Sequence, residues 1–272
     1  MKRRHLFEFE DLSWFPAVLR NPITDLLREA IVLRGDVYAP VVPLLAKLVR
    51  EHDISRIVDL CSGGSGPWTV LKGRLAEEDA DVELVLTDKY PNREALAAAV
   101  RAIGDGRTRF EAQSVDATAV PERLSGLRTL FTGFHHLRPH PARRVLKDAY
   151  RRREAIAVFE FTERRWAPIL LTVPLGPLLV WEWAARLRPV SYSRLFFSYL
   201  VPLVPLAFMW DGIASNLRTY TTEELREMVH DLDASDYSWE TGVLKPEGRG
   251  GPPVTYLIGR PVGIEGGKGA DR

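Results

Sequence analysis

The stretch Arg56-Ile57-Val58-Asp59-Leu60-Cys61-Ser62-Gly63-Gly64-Ser65-Gly66-Pro67-Trp68 turns the chain from a strand into a helix through a glycine-rich corner. Ile57-Val58-Asp59-Leu60 has the length and apolar character of a buried parallel strand. Three glycines follow within four positions, Gly63, Gly64 and Gly66, and a helical pattern resumes at Trp68. Strand, glycine turn and helix in that order let backbone N–H groups and a helix N-terminus approach a ligand closely. Asp59, at the strand's end, adds a carboxylate for a cationic or hydroxylic group.

Working outward, residues 68–78 read as a crossover helix, and 82–87 as a second strand ending at Asp88. Ala95, Leu96, Ala99, Val100 and Ile103 mark one face of a helix over 91–103. Residues 108–112 read as a third strand, followed by Val115-Asp116-Ala117-Thr118. A fourth strand over 128–132 runs into Gly133-Phe134-His135-His136, a helix covers 141–152, and a fifth strand covers 155–161. Strands alternating with helices imply a mostly parallel sheet with helices on both faces, and ligands bind outside the carboxyl ends of such strands. Asp59, Asp88, Asp116 and residues 132–136 all fall at those ends.

The flanking segments are of a different kind. Residues 1–55 read as a helical cap, with Trp14, Phe15, Val18 and Leu19 on one face, a second helix starting at Pro22, a stop at Gly35, and a third helix ending near His52. Residues 168–181 and 195–210 are charge-free runs of 14 and 16 residues, shorter than the roughly 20 that a spanning helix needs and interrupted by Pro174, Pro177, Pro202 and Pro205. An apolar substrate wall or buried cap is therefore preferred to a transmembrane pair. A surface dipping into the membrane interface lies between these, because Trp166, Trp181, Trp183 and the nearby arginines suit that depth. Thr222 is expected to cap a helix running to His230, and 237–244 with 254–259 to form a closing antiparallel hairpin. The tail from Pro261 is expected to be flexible. The expected organisation is thus a cap (1–55), an α/β core (56–165), an apolar insertion or lid (166–215), a helix and hairpin completing the core (216–260), and a tail (261–272).

Composition narrows the function. The 272-residue chain has a net charge of +1, so nothing in its overall charge argues for nucleic acid. Its single cysteine, Cys61, excludes an internal disulfide framework and a cysteine-built zinc site. No signal-peptide core follows the basic start, and a reducing, cytoplasmic location is expected, with membrane association through 168–210 as an option.

Together these motifs resemble the class I S-adenosylmethionine-dependent methyltransferases, over residues 56–161 and in the closing hairpin. That family's first motif reads acidic-x-Gly-x-Gly-x-Gly. Here Asp59 is the acid and Cys61 stands in place of the first glycine. The resemblance implies a seven-stranded, doubly wound sheet and S-adenosylmethionine as cofactor, released as S-adenosylhomocysteine. It places the turn Cys61, Ser62, Gly63 and Gly64 against the methionine part and Asp59 near its amino group. Asp88, with Lys89, falls at the ribose hydroxyls, Asp116 and Ala117 at the adenine, and Thr132 and Gly133 beside the transferred methyl. A nicotinamide dehydrogenase fits less well: from Gly64 the chain reads Gly64-Ser65-Gly66-Pro67-Trp68-Thr69, so the third glycine of Gly-x-Gly-x-x-Gly is missing.

Methyl transfer to a reactive acceptor needs mainly alignment, and a base only where a proton must leave. His135 and His136 are the candidate bases, and Trp14, Arg218 and Tyr220 the candidate acceptor contacts. No metal is expected, since His135, His136 and His140 lack an accompanying ligand set. The expected acceptor is a small, apolar organic molecule. The competing reading is a non-catalytic cofactor-binding or membrane-associated module whose 168–210 stretch holds a partner; a homodimer is compatible with either.

Overall fold

The computed structural model describes residues 1–29, 36–232, 234–246 and 251–262. The expected stop at Gly35, residues 247–250 of the loop 246–253 and the tail beyond 262 lie outside them. Seven strands form one sheet: β1 (Arg56–Asp59), β2 (Glu83–Leu86), β3 (Thr108–Phe110), β4 (Leu127–Phe131), β5 (Ile156–Glu160), β6 (Tyr237–Leu244) and β7 (Val254–Pro261). Their order is β3-β2-β1-β4-β5-β7-β6, with β7 antiparallel to both β5 and β6 and the other pairs parallel. The sheet is mixed and mostly parallel, as the alternation of the sequence requires. The last strand extends through Pro261, two residues past the expected end.

The pleat assigns each strand residue to a layer. Ile57, Leu84, Leu86 and Leu127 join one core with α2 (Val41–Glu51), α3 (Trp68–Glu77) and α4 (Arg93–Ile103). Val58, Val85, Leu130 and Ile156 join the opposite core with α5 (Pro139–Arg152) and α9 (Thr222–Val229). Neighbouring residues of a strand point to opposite faces, so continuous apolar runs fill both layers. The order reverses between β1 and β4, and that crevice is where a ligand enters such a sheet.

A third, smaller core lies apart from the sheet. There α1 (Ala17–Leu26), α6 (Trp166–Trp183) and α8 (Leu203–Arg218) bury Phe15, Ile23, Leu26, Val180, Val204 and Phe208 against one another. Between α6 and α8 run the short helix α7 (Tyr192–Leu195) and a π-helical turn, Phe196–Leu200. The residues expected to act as one cap therefore divide: α2 belongs to the sheet, whereas α1 belongs to the insertion. Pro22 lies inside α1 rather than starting a second helix. The buried Ile23 and Leu26 beside it offset the hydrogen bond that a proline forgoes.

The cap of α9 also differs from expectation by one residue. Thr221, not Thr222, accepts from the Glu224 N–H, and the Glu224 carboxylate accepts from the Thr221 N–H at 3.0 Å. That reciprocal box needs an acid three residues after the cap, which only Thr221 has.

Candidate functional site

The turn after β1 is wound through left-handed backbone at Cys61 (φ 58°), Gly63 (φ 52°), Ser65 (φ 94°) and Gly66 (φ 52°). Cys61 thus occupies a conformation that glycine adopts at less cost, and burial pushes its thiol up to about 12, so it is an inert small residue in the turn. Around Gly63 there is open space where a side chain would sit.

Asp59 is placed otherwise than expected. It is buried, and its carboxylate accepts from Ser62 Oγ at 2.6 Å and Thr129 Oγ1 at 2.7 Å. Burial raises it to about 7, against the opposing effect of those hydrogen bonds. Asp59 and the Ser62 hydroxyl are therefore struts that shape the turn from within. Asp88 does reach the turn: one carboxylate oxygen accepts from the Gly63 N–H at 2.8 Å, the other from the Tyr90 N–H at 2.7 Å. Each oxygen keeps a further lone pair for a hydroxyl donor. Asp116 accepts from Lys89 Nζ at 2.9 Å and from the Thr118 hydroxyl at 2.7 Å. Burial raises it, the Lys89 and Thr118 hydrogen bonds outweigh this, and it settles at about 2. Ala117 beside it is buried.

Two cavities meet beyond this turn. The smaller, about 140 Å³, is lined by Ser62, Gly63, Gly64, Gly66, Tyr38 and Phe131 among others. The larger, about 380 Å³, is walled by Ile23, Leu171, Leu175, Leu179 and Phe208, with Glu8, Glu10, His135, His136 and Asp211 at its polar side. Leu27, Thr132 and Phe161 line both. Thr132 holds φ 50°, rare for a β-branched residue, and its hydroxyl is bonded to that of Tyr38. Gly133, which follows it, packs so tightly on Cys61 that an added Cβ would lie 3.1 Å from the Cys61 Cβ. A backbone strained and wedged in this way marks the junction of the two cavities.

The two histidines differ. His135 is 1% exposed, and its Nδ1 lies 2.7 Å from Glu160 Oε2. Glu160 Oε1 accepts the N–H groups of Phe134 (2.7 Å) and His135 (3.1 Å). Burial would raise Glu160, but the His135 interaction and these hydrogen bonds hold it below its ordinary value, so it stays a carboxylate. In the neutral imidazole, a carboxylate against Nδ1 favours the proton on that nitrogen and leaves Nε2 as the acceptor. That Nε2 is buried and has no hydrogen-bond partner, with Glu8 Oε1 3.9 Å away, and His135 is among the residues that line the larger cavity.

His136, by contrast, has Nδ1 2.9 Å from Asp11 Oδ1 and 3.6 Å from Glu8 Oε2. Burial alone would lower it; the charge of Glu8 and the Asp11 hydrogen bond prevail and raise it to about 9. At neutral pH His136 carries its proton and cannot accept another, which corrects the expectation that either histidine serves as base. Glu8, His135 and His136 are spaced closely enough to suggest a metal site. The Arg218 guanidinium lies against this group, 2.9 Å from Glu8 Oε1 and 3.4 Å from His136 Nδ1, and also binds Asp11 Oδ2 at 2.6 Å.

The three expected acceptor contacts are elsewhere. Arg218 is buried as a tie to the N-terminal segment, bonding Leu6 O besides Glu8 and Asp11. Tyr220 is buried, donates to Leu137 O at 2.7 Å and carries the Arg3 guanidinium 4.0 Å over its ring. Trp14 is 68% exposed and lines neither cavity. Of the polar residues that line the larger cavity, Glu8, Glu10 and Asp211 were not singled out from sequence. Phe9 N–H donates to Asp211 at 2.7 Å and Thr24 Oγ1 to Glu10 at 2.5 Å, fixing both acids at the cavity. Burial, reinforced by Glu10 and Glu8, pushes Asp211 up to about 7. Glu160, a lone acid closing an apolar strand, carried a readable signal. Glu8 and Glu10 carried none.

No family model matches the chain, and no curated protein matches it in sequence. Solved structures do resemble it. The plantazolicin methyltransferase BpumL in complex with SAH aligns over 93% of both chains at 10% identity, with a TM-score of 0.57. The CMeT domain of the citrinin polyketide synthase aligns over 93% of this chain and 59% of that one at 12% identity, with a TM-score of 0.53. With the strand order above, these likenesses show the class I methyltransferase fold.

Proposed function

We propose that the protein is an S-adenosylmethionine-dependent methyltransferase acting on a small, largely apolar acceptor whose nucleophile is a hydroxyl. The observation that carries this reading is the His135–Glu160 pair, whose buried Nε2 has no hydrogen-bond partner and whose imidazole belongs to a residue lining the apolar cavity that adjoins the glycine turn. The residues present fit the cofactor. The left-handed turn at Gly63 leaves open space for a ligand's close approach, and Asp88 keeps acceptor capacity for ribose hydroxyls. When bound, S-adenosylmethionine supplies an activated methyl group on a sulfonium.

The chain's own part is orientation and proton handling. Leu27, Thr132 and Phe161 bring donor side and acceptor side together, and alignment supplies much of the rate. His135 Nε2 accepts the proton that the acceptor hydroxyl loses. The Glu160 carboxylate, held by two backbone N–H groups, stabilises the imidazolium so formed. Glu160 is thus a positioning residue and His135 the catalytic one. The apolar wall keeps water from competing for the base.

Thermal unfolding with S-adenosylhomocysteine tests the cofactor half. Saturation to ~100 times the dissociation constant adds about 2.7 kcal/mol, a shift of several degrees for a chain of this size. Incubation with methyl-labelled donor and a panel of phenols and long-chain alcohols tests the other half. Well-folded protein that shows no shift with the nucleoside sinks the reading. Transfer that survives Glu160→Gln with unchanged kcat sinks the role of the dyad.

A further inference from the structure

The larger cavity and the outer surface of the molecule share a helix. Of the eighteen residues of α6, only Ile169, Gly176 and Val180 are buried. Leu170, Leu171, Val173, Leu175, Leu178 and Trp181 are each between 44% and 63% exposed. The apolar surface continues through Phe196, Tyr199, Leu200, Val201, Leu203 and Leu206. Isolated exposed leucines are ordinary; a continuous apolar face across two packed segments marks an interaction surface.

Three observations say what covers it. The first is the polar backbone at the break between Tyr192–Leu200 and Leu203–Arg218, where the chain bends by 78°. There the Val201 N–H donates to Phe196 O at 3.0 Å and the Leu206 N–H to Pro202 O at 3.3 Å; just before it, Trp181 Nε1 donates to Ser198 O at 2.9 Å and Tyr199 OH to Trp181 O at 2.5 Å. The buried Arg194 donates to Ala184 O at 2.8 Å and Leu187 O at 2.7 Å. Water would satisfy such groups at an ordinary surface, whereas hydrocarbon requires that the chain do so itself. The second is the rim. Trp166 and Tyr192 are 68% and 86% exposed, and Arg165, Arg186 and Arg188 are exposed beside the apolar face. Residues 166–210 contain one acid, Glu182, which is paired with Arg186. Aromatic and basic residues around an apolar patch suit the headgroup level of an anionic bilayer. A second copy on a two-fold axis would set this basic rim against itself. The third is continuity with the site: Leu171 and Leu175 are 54% and 53% exposed and also line the larger cavity.

We propose that α6 and the bent pair Tyr192–Leu200 and Leu203–Arg218 form a monotopic platform seated in the interface of an anionic bilayer, and that the acceptor enters the cavity from that bilayer. With ~1.5 Å per residue, α6 is about 27 Å long; it packs along α8, and the bend in its partner sets the pair as a platform rather than a crossing. The acceptor's class follows, resting on the transferase reading above: a membrane amphiphile whose apolar body lies against Leu171, Leu175 and Phe208 and whose hydroxyl head faces His135.

The test is co-sedimentation of the full chain with vesicles of equimolar phosphatidylcholine and phosphatidylglycerol, and with phosphatidylcholine alone. The wild type is expected to sediment with the anionic vesicles, with a blue-shifted tryptophan emission, and to bind the neutral ones at least ~10-fold more weakly. Leu170→Glu with Leu178→Glu, neither of which lines a cavity, is expected to abolish binding while keeping the wild-type unfolding transition. Arg186→Gln with Arg188→Gln is expected to weaken only the anionic preference, and serves if the leucine variant folds poorly. Absence of binding to both vesicle types overturns the platform. So does a leucine variant that binds as well as the wild type, or one whose sole change is conversion of a dimer to a monomer. S-adenosylhomocysteine separates the two readings: vesicle binding without a nucleoside-induced thermal shift keeps the platform and removes the transferase, and a thermal shift without vesicle binding does the reverse.

Discussion

The glycine turn and the larger cavity meet at Thr132, yet they are built in opposite ways. The turn draws on one short stretch, Asp59 to Gly66, and on Asp88 at the end of the neighbouring strand. Its acids act on nearby backbone and hydroxyls. The cavity draws on segments more than 200 residues apart, joined by Phe9 N–H to Asp211 and by Arg218 to Glu8 and Asp11. A site made of adjacent residues is fixed by local backbone geometry. A site made of distant ones depends on buried charges finding one another.

If that division holds, the two sides can be damaged separately. The largest effect is expected from His135→Ala, which should lower methyl transfer by ~10²–10⁴-fold and leave S-adenosylhomocysteine binding by calorimetry unchanged. A matching loss of nucleoside binding would break the comparison. Asp88→Ala should do the converse, weakening nucleoside binding by ~10–100-fold, the effect of a charge-assisted hydrogen bond worth about 1.5–3 kcal/mol, with no change at the acceptor side.

A smaller effect reports on the buried charges. His136 is raised from 6.5 to about 9, so its contribution to stability is complete below pH 6.5 and is lost as pH rises through about 9. Asp59 and Asp211 are raised from 3.8 to about 7, so their contributions are complete below about pH 4 and gone above about 7. The fall in melting temperature between pH 7 and 9 is therefore assigned to His136. Scanning calorimetry should find it several degrees deep in the wild type and flattened in His136→Gln. An equal fall in both proteins would place the titrating group elsewhere. The smallest effect sharpens the boundary of the cavity: Trp14→Ala should change neither transfer nor stability beyond ~0.5 kcal/mol. A large rise in acceptor KM would return Trp14 to the site.

The cofactor side is legible in the amino-acid sequence because its signals are local. An apolar run that breaks into Gly63, Gly64 and Gly66 dictates strand and turn whatever surrounds it, and acids at 88 and 116 follow from strand length. Even there, the sequence did not separate a ligand contact from a strut: Asp59 and Asp88 each close a strand, and burial alone makes one a partner of Ser62 and Thr129 and leaves the other half-open.

On the acceptor side the sequence supplied the segments without their roles. It marked 168–181 and 195–210 as apolar, and it put two histidines after β4. What each histidine can do depends on what it meets. Glu160, on the neighbouring strand, lies against Nδ1 of His135, whereas Glu8 and Asp11, more than 120 residues away, hold His136 well above its ordinary value. Arg218 and Tyr220 looked like acceptor contacts and are ties instead, because the N-terminal segment folds back over them. The sequence by itself determined the sheet, its helices and the corner where a nucleotide-like ligand meets backbone, since periodicity and glycine act over a few residues. Only the tertiary structure decided which ionisable groups are free, charged or bare, because burial and partnership are set by residues that the chain brings together from its two ends.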